Sequence, residues 1–277
     1  MEIYQGLVLG VLQGLTEFLP VSSSGHLVLG RNCFGITESV LSFDISLHVG
    51  TMAAVGFVFF RDIKAMIFSL FSLFKCICSG GDCRCLVKNN NDIRLAALII
   101  IASVPTAVIG FLLKPYVETS LSSLYMVGVM LILTGTFLWL TRKIKGNTIK
   151  INTFGFKKAL FIGLCQGLAV LPGVSRSGAT IAGGLFAGIE RETAARFSFL
   201  LSMPAIIGAE LLSLKDTAGF TMDKGTLYGT LAAFAVGFFA LKFLLIIVKN
   251  GRLHLFAPYC WALGGITLFL ELAGLCR

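Results

Sequence analysis

The sequence predicts an all-α polytopic membrane protein: six full transmembrane helices and two re-entrant helical hairpins, arranged as an inverted-topology repeat. Three observations carry that prediction. Hydrophobic residues make up 56% of the 277 and charged residues 13%, with a mean hydropathy of +0.88. Soluble chains carry about 25% charge, so lipid must be the solvent for much of this surface. Six apolar runs approach the ~20 residues that a bilayer crossing needs. Two further segments repeat one another, Gln13–His26 and Gln166–Ala179.

Taken in order, residues 3–30 are apolar enough to enter a membrane, but Pro20-Val-Ser-Ser-Ser-Gly interrupts them. A helix cannot run comfortably through such a stretch. Irregular backbone at membrane depth is tolerated only inside protein or beside water. The region therefore reads as a re-entrant helix–turn–helix hairpin. Spans follow at 43–60, 93–113 and 121–141, with 64–76 as an interfacial helix between the first two. Residues 157–189 are broken in the same way by Pro172-Gly-Val-Ser-Arg-Ser-Gly and read as a second hairpin, followed by spans at 197–214, 226–248 and 255–275. At an offset of 153, Gln13, Gly14, Leu15, Val21, Ser22, Ser24 and Gly25 match Gln166, Gly167, Leu168, Val174, Ser175, Ser177 and Gly178, seven identities in thirteen positions. This is an internal duplication. Residues 1–277 form one integral membrane domain, with repeat one at 1–141 and repeat two at 157–275. Each half is a hairpin plus three spans, an odd number, so the second half is expected upside down, with the two hairpin tips meeting near the midplane.

The net charge of +9 is carried by loops. Arg61, Lys64, Lys75, Arg84 and Lys88, then Arg142, Lys143, Lys145, Lys150, Lys157 and Lys158, then Lys249 and Arg252, mark three cytoplasmic segments, while 114–120 and 215–225 are nearly neutral and expected outside. Both termini then lie outside. Counting the hairpins as full helix pairs gives the same parity. This distribution makes nucleic acid no expected partner. The opening MEIYQ lacks a basic cluster, so no cleaved signal peptide is expected. Cys76, Cys78, Cys83 and Cys85 share one loop, but C-x-C spacing is not the usual zinc pattern, and a reduced loop is the simpler reading. Cys165, Cys260 and Cys276 lie in apolar segments, where small buried thiols are ordinary.

The duplicates differ where chemistry would live. Glu17 aligns with Val170, Ser23 with Arg176 and His26 with Ala179. Ionisable groups at membrane depth are costly and are functional candidates by default. A Ser after each Pro is a good N-cap, so two helix N-termini are expected to face one space and favour an anion. Arg176 adds a cationic fork matched to phosphate oxygens. Ser23, His26, Glu17 and Arg176 around a phosphate suit phosphoryl transfer to Ser or to water. The structural alternatives are plain: Ser22, Ser24, Ser175 and Ser177 as backbone caps, Glu17 and Arg176 as a buried ion pair, His48 as a hydrogen-bonder or pore-lining group, Asp44 and Arg196 as interfacial residues. Nothing in the sequence says what Glu210 and Lys242 face. The rival function is a secondary transporter or lipid flippase, since inverted repeats and broken helices are transporter devices. Acid–base groups on one tip and a cation on the other are more than substrate binding needs.

QGLTEFLPVSSSGH at 13–26 and LPGVSRSGAT at 171–180 resemble the two signature segments of the undecaprenyl-diphosphatase family of bacterial membranes, also known from bacitracin resistance, and the resemblance runs the length of the chain. It implies hydrolysis of undecaprenyl diphosphate to undecaprenyl phosphate and phosphate. That recycles the lipid carrier for peptidoglycan and other wall polymers, at a site open to the outer side of the cytoplasmic membrane. It implies a divalent cation, Mg²⁺ or Ca²⁺, with Glu17 as a ligand, and a long-chain isoprenyl diphosphate whose tail lies between spans among membrane lipids. Carried over by position, Gln13 and Glu17 are the paired amide and acid. Ser22, Ser23 and Ser24 form the turn, and His26 is the motif His. Arg176 binds phosphate with Ser175, Ser177 and Thr180 around it. Many members similar to this chain carry Glu at the place of Gln13, which weighs against two carboxylates on one metal. The expected order of mechanisms is Ser23 as nucleophile with His26 as base, then His26 as nucleophile, then water. A homo-oligomer is compatible with all of this.

Overall fold

Pro, Ser and Asn residues punctuate the apolar runs and set where each helix begins and ends. In a computed structural model of the chain, residues 1–36, 41–79, 90–117, 123–146, 148–214 and 222–273 are described. Helix α1, Ile3–Phe18, opens on a capping box between Glu2 and Gln5 and stops short of Pro20. Ser22 then takes a left-handed φ of 68°, and α2 runs Ser23–Cys33. Helices α3, Leu41–Val58, and α4, Phe60–Cys78, follow almost without a break. The Asn90 side chain accepts from the amides of Asp92 and Ile93 and starts α5, Asn91–Tyr116, which continues through Pro105. Ser123 caps α6, Leu124–Leu140, and a short 3-10 turn extends it to Lys143. The second half repeats the plan: α7 is Phe156–Leu168, α8 Arg176–Phe186, α9 Arg191–Leu214, α10 Lys224–Lys249 and α11 Ala257–Leu272, the last preceded by a 3-10 turn at Leu253–Phe256. Among the described residues the only β pairing is an isolated bridge between Ile149 and Ile189, which ties the linker between the halves to the end of α8.

Six helices are long and apolar enough to cross a membrane: Leu41–Val58, Asn91–Tyr116, Leu124–Lys143, Arg191–Leu214, Lys224–Lys249 and Leu253–Leu272. They coincide with the six runs expected from sequence. Helices α1, α2, α7 and α8 are absent from that set. At 1.5 Å per residue they reach only about 16–24 Å, less than the ~30 Å of a hydrocarbon core. The stretch expected as an interfacial helix falls within α4, which buries no residue and exposes Phe60, Ile67, Phe68, Phe71 and Phe74. Cys83, Cys85 and Cys276 lie outside the described residues.

The helices pair across the two halves. Helix α1 packs on α10 as α7 packs on α5, α3 meets α10 as α9 meets α5, and α6 and α11 pack on each other. Small residues make the closest of these contacts possible. A Cβ added at Gly6 would collide with the carbonyl of Gly225, and one at Gly10 with that of Gly229. One added at Gly14 would lie 2.8 Å from the amide nitrogen of Gly237. Lipid gives no hydrophobic drive between helices, so such backbone approach and its dispersion gain hold the pair together. Phe18, Phe197, Phe199, Leu241 and Ile181 fill the core where the halves meet.

Candidate active site

Two turns, one after α1 and one after α7, bring the duplicated segments together. Each has the same local pattern. The Ser22 and Ser24 hydroxyls lie 3.2 Å apart, as do those of Ser175 and Ser177. The Ser175 hydroxyl accepts from the Gly178 amide at 3.1 Å, the N-cap expected of it. Partner helices fix both turns. Cys260 of α11 reaches the Pro20 carbonyl at 3.3 Å, while the Thr134 hydroxyl of α6 bonds the Gly173 carbonyl at 3.2 Å and accepts from the Ser175 amide at 3.3 Å.

Glu17 is the hub. Its carboxylate is buried, with Oε1 paired to the Arg176 guanidinium from the other turn. Its Oε2 accepts from the Ser23 hydroxyl at 2.7 Å and from the Gln13 amide at 3.0 Å. The expected juxtaposition of Glu17, Ser23 and Arg176 is present, although Glu17 and Arg176 are 159 residues apart in sequence. His26 sits close by in sequence but is engaged elsewhere. Its Nδ1 lies 2.8 Å from the Ser22 carbonyl and its Nε2 2.7 Å from the Tyr259 hydroxyl, with the two ring planes nearly parallel at 8°. A carbonyl only accepts, so Nδ1 carries a proton, and in the neutral ring the Tyr259 hydroxyl donates to Nε2. In this arrangement the group hydrogen-bonded to Ser23 is Glu17, whereas His26 is occupied by Ser22 and Tyr259. Thr180 is fully buried, bonding the Arg176 carbonyl at 2.8 Å and pairing with Ser198, which places it behind the turn. Ser175 and Ser177 are likewise buried, while Ser24 is exposed.

Several neighbours were not singled out as functional from sequence. His48 of α3 approaches Glu17 Oε2 at 3.8 Å through Nε2 and Glu210 Oε1 of α9 at 2.7 Å through Nδ1. Asp44, one turn before His48, holds Arg31 of α2 at 2.9 Å. Tyr259 completes the set. The available signal was ionisable residues inside apolar spans, which are functional candidates on cost alone. Arg196 pairs with Asp62, and Lys242 lies over the Phe238 ring at 4.3 Å, so both have structural partners away from the turns.

Among the described residues no three His, Cys, Asp or Glu side chains converge as metal ligands. A protein-only cation cage is therefore not what these residues offer. Beside Glu17, however, Gln13 Oε1 is buried with no partner. One carboxylate and one orphaned carbonyl oxygen suit a hard cation that keeps most of its coordination from phosphate and water, the usual habit of Mg²⁺.

Two helix starts, a guanidinium and a hydroxyl held by a carboxylate would suit a phosphate-like anion, and the fold is that of a polytopic membrane protein whose two broken segments meet at these residues. Within that class, the chain belongs to the family described as Bacitracin resistance protein BacA, whose model matches residues 6–266. It is 63% identical over 270 residues to a protein of Desulforapulum autotrophicum named undecaprenyl-diphosphatase, covering 97% of this chain and 98% of that one. Proteins of the same name from Desulfosudis oleivorans and Methanosphaera stadtmanae are 52% and 41% identical, over 98% of this chain and 99% of each relative.

Proposed function

We propose that this chain hydrolyses undecaprenyl diphosphate to undecaprenyl phosphate and inorganic phosphate, returning the lipid carrier to wall-polymer synthesis and so conferring bacitracin resistance. The observation that carries the mechanism is the shared carboxylate: Glu17 holds Ser23 on one oxygen and Arg176 on the other. In the proposed reaction the terminal phosphate takes over Arg176 and the amides at the starts of α2 and α8. Ser23 Oγ attacks the terminal phosphorus while its proton passes to Glu17 Oε2. The bridging P–O bond breaks and undecaprenyl phosphate leaves. Water then attacks the phosphoserine phosphorus and the P–Oγ bond breaks; Glu17 returns its proton to Ser23 Oγ, and the water's proton leaves with the released phosphate. Ser23, with a base in hydrogen-bond contact, is the nucleophile this geometry favours, and Glu17 replaces His26 as that base. His26, with Tyr259 on its Nε2, is the second candidate.

A divalent cation, Mg²⁺ or Ca²⁺, would be held by Glu17 and Gln13 and would neutralise the charge of the diphosphate. Ser22, Ser24, Ser175 and Ser177 would keep the two helix starts open to the substrate, with Thr180 bracing Arg176 from behind. The whole chain is one integral domain of the cytoplasmic membrane, its two repeats inverted and its short helix pairs re-entrant. The packing supports this, because exchanging the halves maps α1 on α10 onto α7 on α5. The basic loops support an active site opening to the outer side.

The test is phosphate release from a long-chain isoprenyl diphosphate by protein purified in detergent, with and without EDTA. Cation-dependent release is expected. No release with any divalent cation would overturn the hydrolase reading and revive transport or flipping of the lipid.

A further inference from the structure

We propose that His48, anchored by Glu210, is a positioning residue for Glu17. The inference rests on the hydrolase reading for its kinetic test and adds a residue pair that neither motif contains. Helix α3 carries Asp44 and His48 four residues apart, on one face. Asp44 is tied to Arg31 at 2.9 Å, which fixes that face of α3 against α2. One turn along, the His48 ring stands between two carboxylates from different helices. Nε2 is 3.8 Å from Glu17 Oε2 and Nδ1 is 2.7 Å from Glu210 Oε1, ion-pair distance though off the line of a hydrogen bond. Glu210 thus holds the ring from one side, and the ring's other edge faces the site.

The need for such a wall follows from what Glu17 does. Without substrate, its orientation is set by Arg176 on Oε1 and by Ser23 and Gln13 on Oε2. A diphosphate competes for Arg176, the strongest of these partners. A buried carboxylate that gives up its guanidinium partner is costly and turns toward whatever cation or donor remains. If it followed Arg176 to the phosphate, Ser23 would lose its base. His48, against Oε2 and fixed by Glu210, keeps that oxygen on the Ser23 side when Arg176 is taken. The charged and titratable groups around the ring are Glu17, Glu210, Asp44 and, through Asp44 and Glu17, Arg31 and Arg176.

The variants are His48→Ala, His48→Gln and Glu210→Gln, each compared with the parent for kcat, KM and melting temperature. Outer partners that orient a working group change activity by about 10–100-fold when lost. His48→Ala should lower kcat in that range with KM within about threefold. His48→Gln, whose amide can place a donor at the same edge, should recover most of the loss. Glu210→Gln should fall in the same direction by less. A purely structural role would lower melting temperature without this split. Unchanged kcat in His48→Ala, or no recovery in His48→Gln, overturns the proposal. If His48→Ala does not fold, Glu210→Gln decides, and unchanged kcat there overturns it. A readout free of turnover keeps the two readings apart. Carbodiimide modification of Glu17, mapped by mass spectrometry, should rise in His48→Ala and in Glu210→Gln. A parent that releases no phosphate sinks the hydrolase reading alone, whereas unchanged Glu17 modification sinks this one.

Discussion

Arg176 has two claimants: Glu17 in the structure, through one guanidinium nitrogen, and a phosphate in the proposed reaction, which would use the planar fork. Lysine would keep the charge and lose the paired geometry. Arg176→Lys should therefore lower kcat/KM by about 10²-fold or more, the size of losing one donor to a developing oxyanion, read in the phosphate-release assay. Turnover within threefold of the parent would remove Arg176 from the chemistry. Tyr259 supports a smaller prediction. A neutral hydrogen bond contributes about 0.5–1.5 kcal/mol, so Tyr259→Phe should slow turnover about two- to tenfold if the His26–Tyr259 pair takes part, and an unchanged rate would mark it as idle. At this scale the sequence was informative about identity and silent about pairing. Glu17, Ser23 and Arg176 stood out because the duplicates differ there. That Ser23 bonds Glu17 of α1 while His26 turns to Tyr259 of α11, 233 residues away, depends on tertiary contacts that no local pattern carries.

Helices were the most legible elements. All six spans were visible as apolar runs, because length in lipid is set by bilayer thickness. What joins them was less visible. The Gly6, Gly10 and Gly14 row on α1 reads as an ordinary small-residue stripe until Gly225, Gly229 and Gly237 of α10 are found against it. That contact gives an element-scale prediction. A methyl at Gly10 would occupy the space of the Gly229 carbonyl, whereas one at Gly56 of α3 meets nothing within 4 Å. Overpacking a tight contact costs about 1–3 kcal/mol. For a chain of this size, that shifts melting by roughly 2–4 °C per kcal/mol. Gly10→Ala should therefore melt several degrees below the parent in a detergent thermal-shift assay, while Gly56→Ala stays level or rises. Equal melting of the two variants would mean that α1 and α10 are not closely apposed. Helix α4 marks the opposite case: the sequence predicts an interfacial helix at 64–76, and the structure extends it to Phe60–Cys78 with no buried face to fix its depth.

The whole molecule is where duplication matters, because equivalent positions in the halves occupy opposite sides only if the repeat is inverted. Tyr4 and Lys157 are such a pair, at the same offset of 153 and at the starts of α1 and α7, both exposed. Between them lie three spans and one short helix pair. Whether the pair returns or crosses twice, three spans reverse the side. An inverted repeat would also let the chemistry diverge: two copies of one turn, brought face to face, need not both carry a base, so one could carry Glu17 and the other Arg176. In a background with the native cysteines replaced, Tyr4→Cys on intact cells should react at once with an impermeant maleimide, and Lys157→Cys only after permeabilisation. Reaction of both from one side would refute the inverted repeat. Ser24→Cys then separates re-entry from crossing. Ser24 is exposed in the first turn, so a re-entrant pair leaves it reachable by a small thiol reagent from the outer side and shielded by bound isoprenyl diphosphate. A pair that crossed fully would place the same cysteine on the cytoplasmic face, where it would label only after permeabilisation and without protection by substrate.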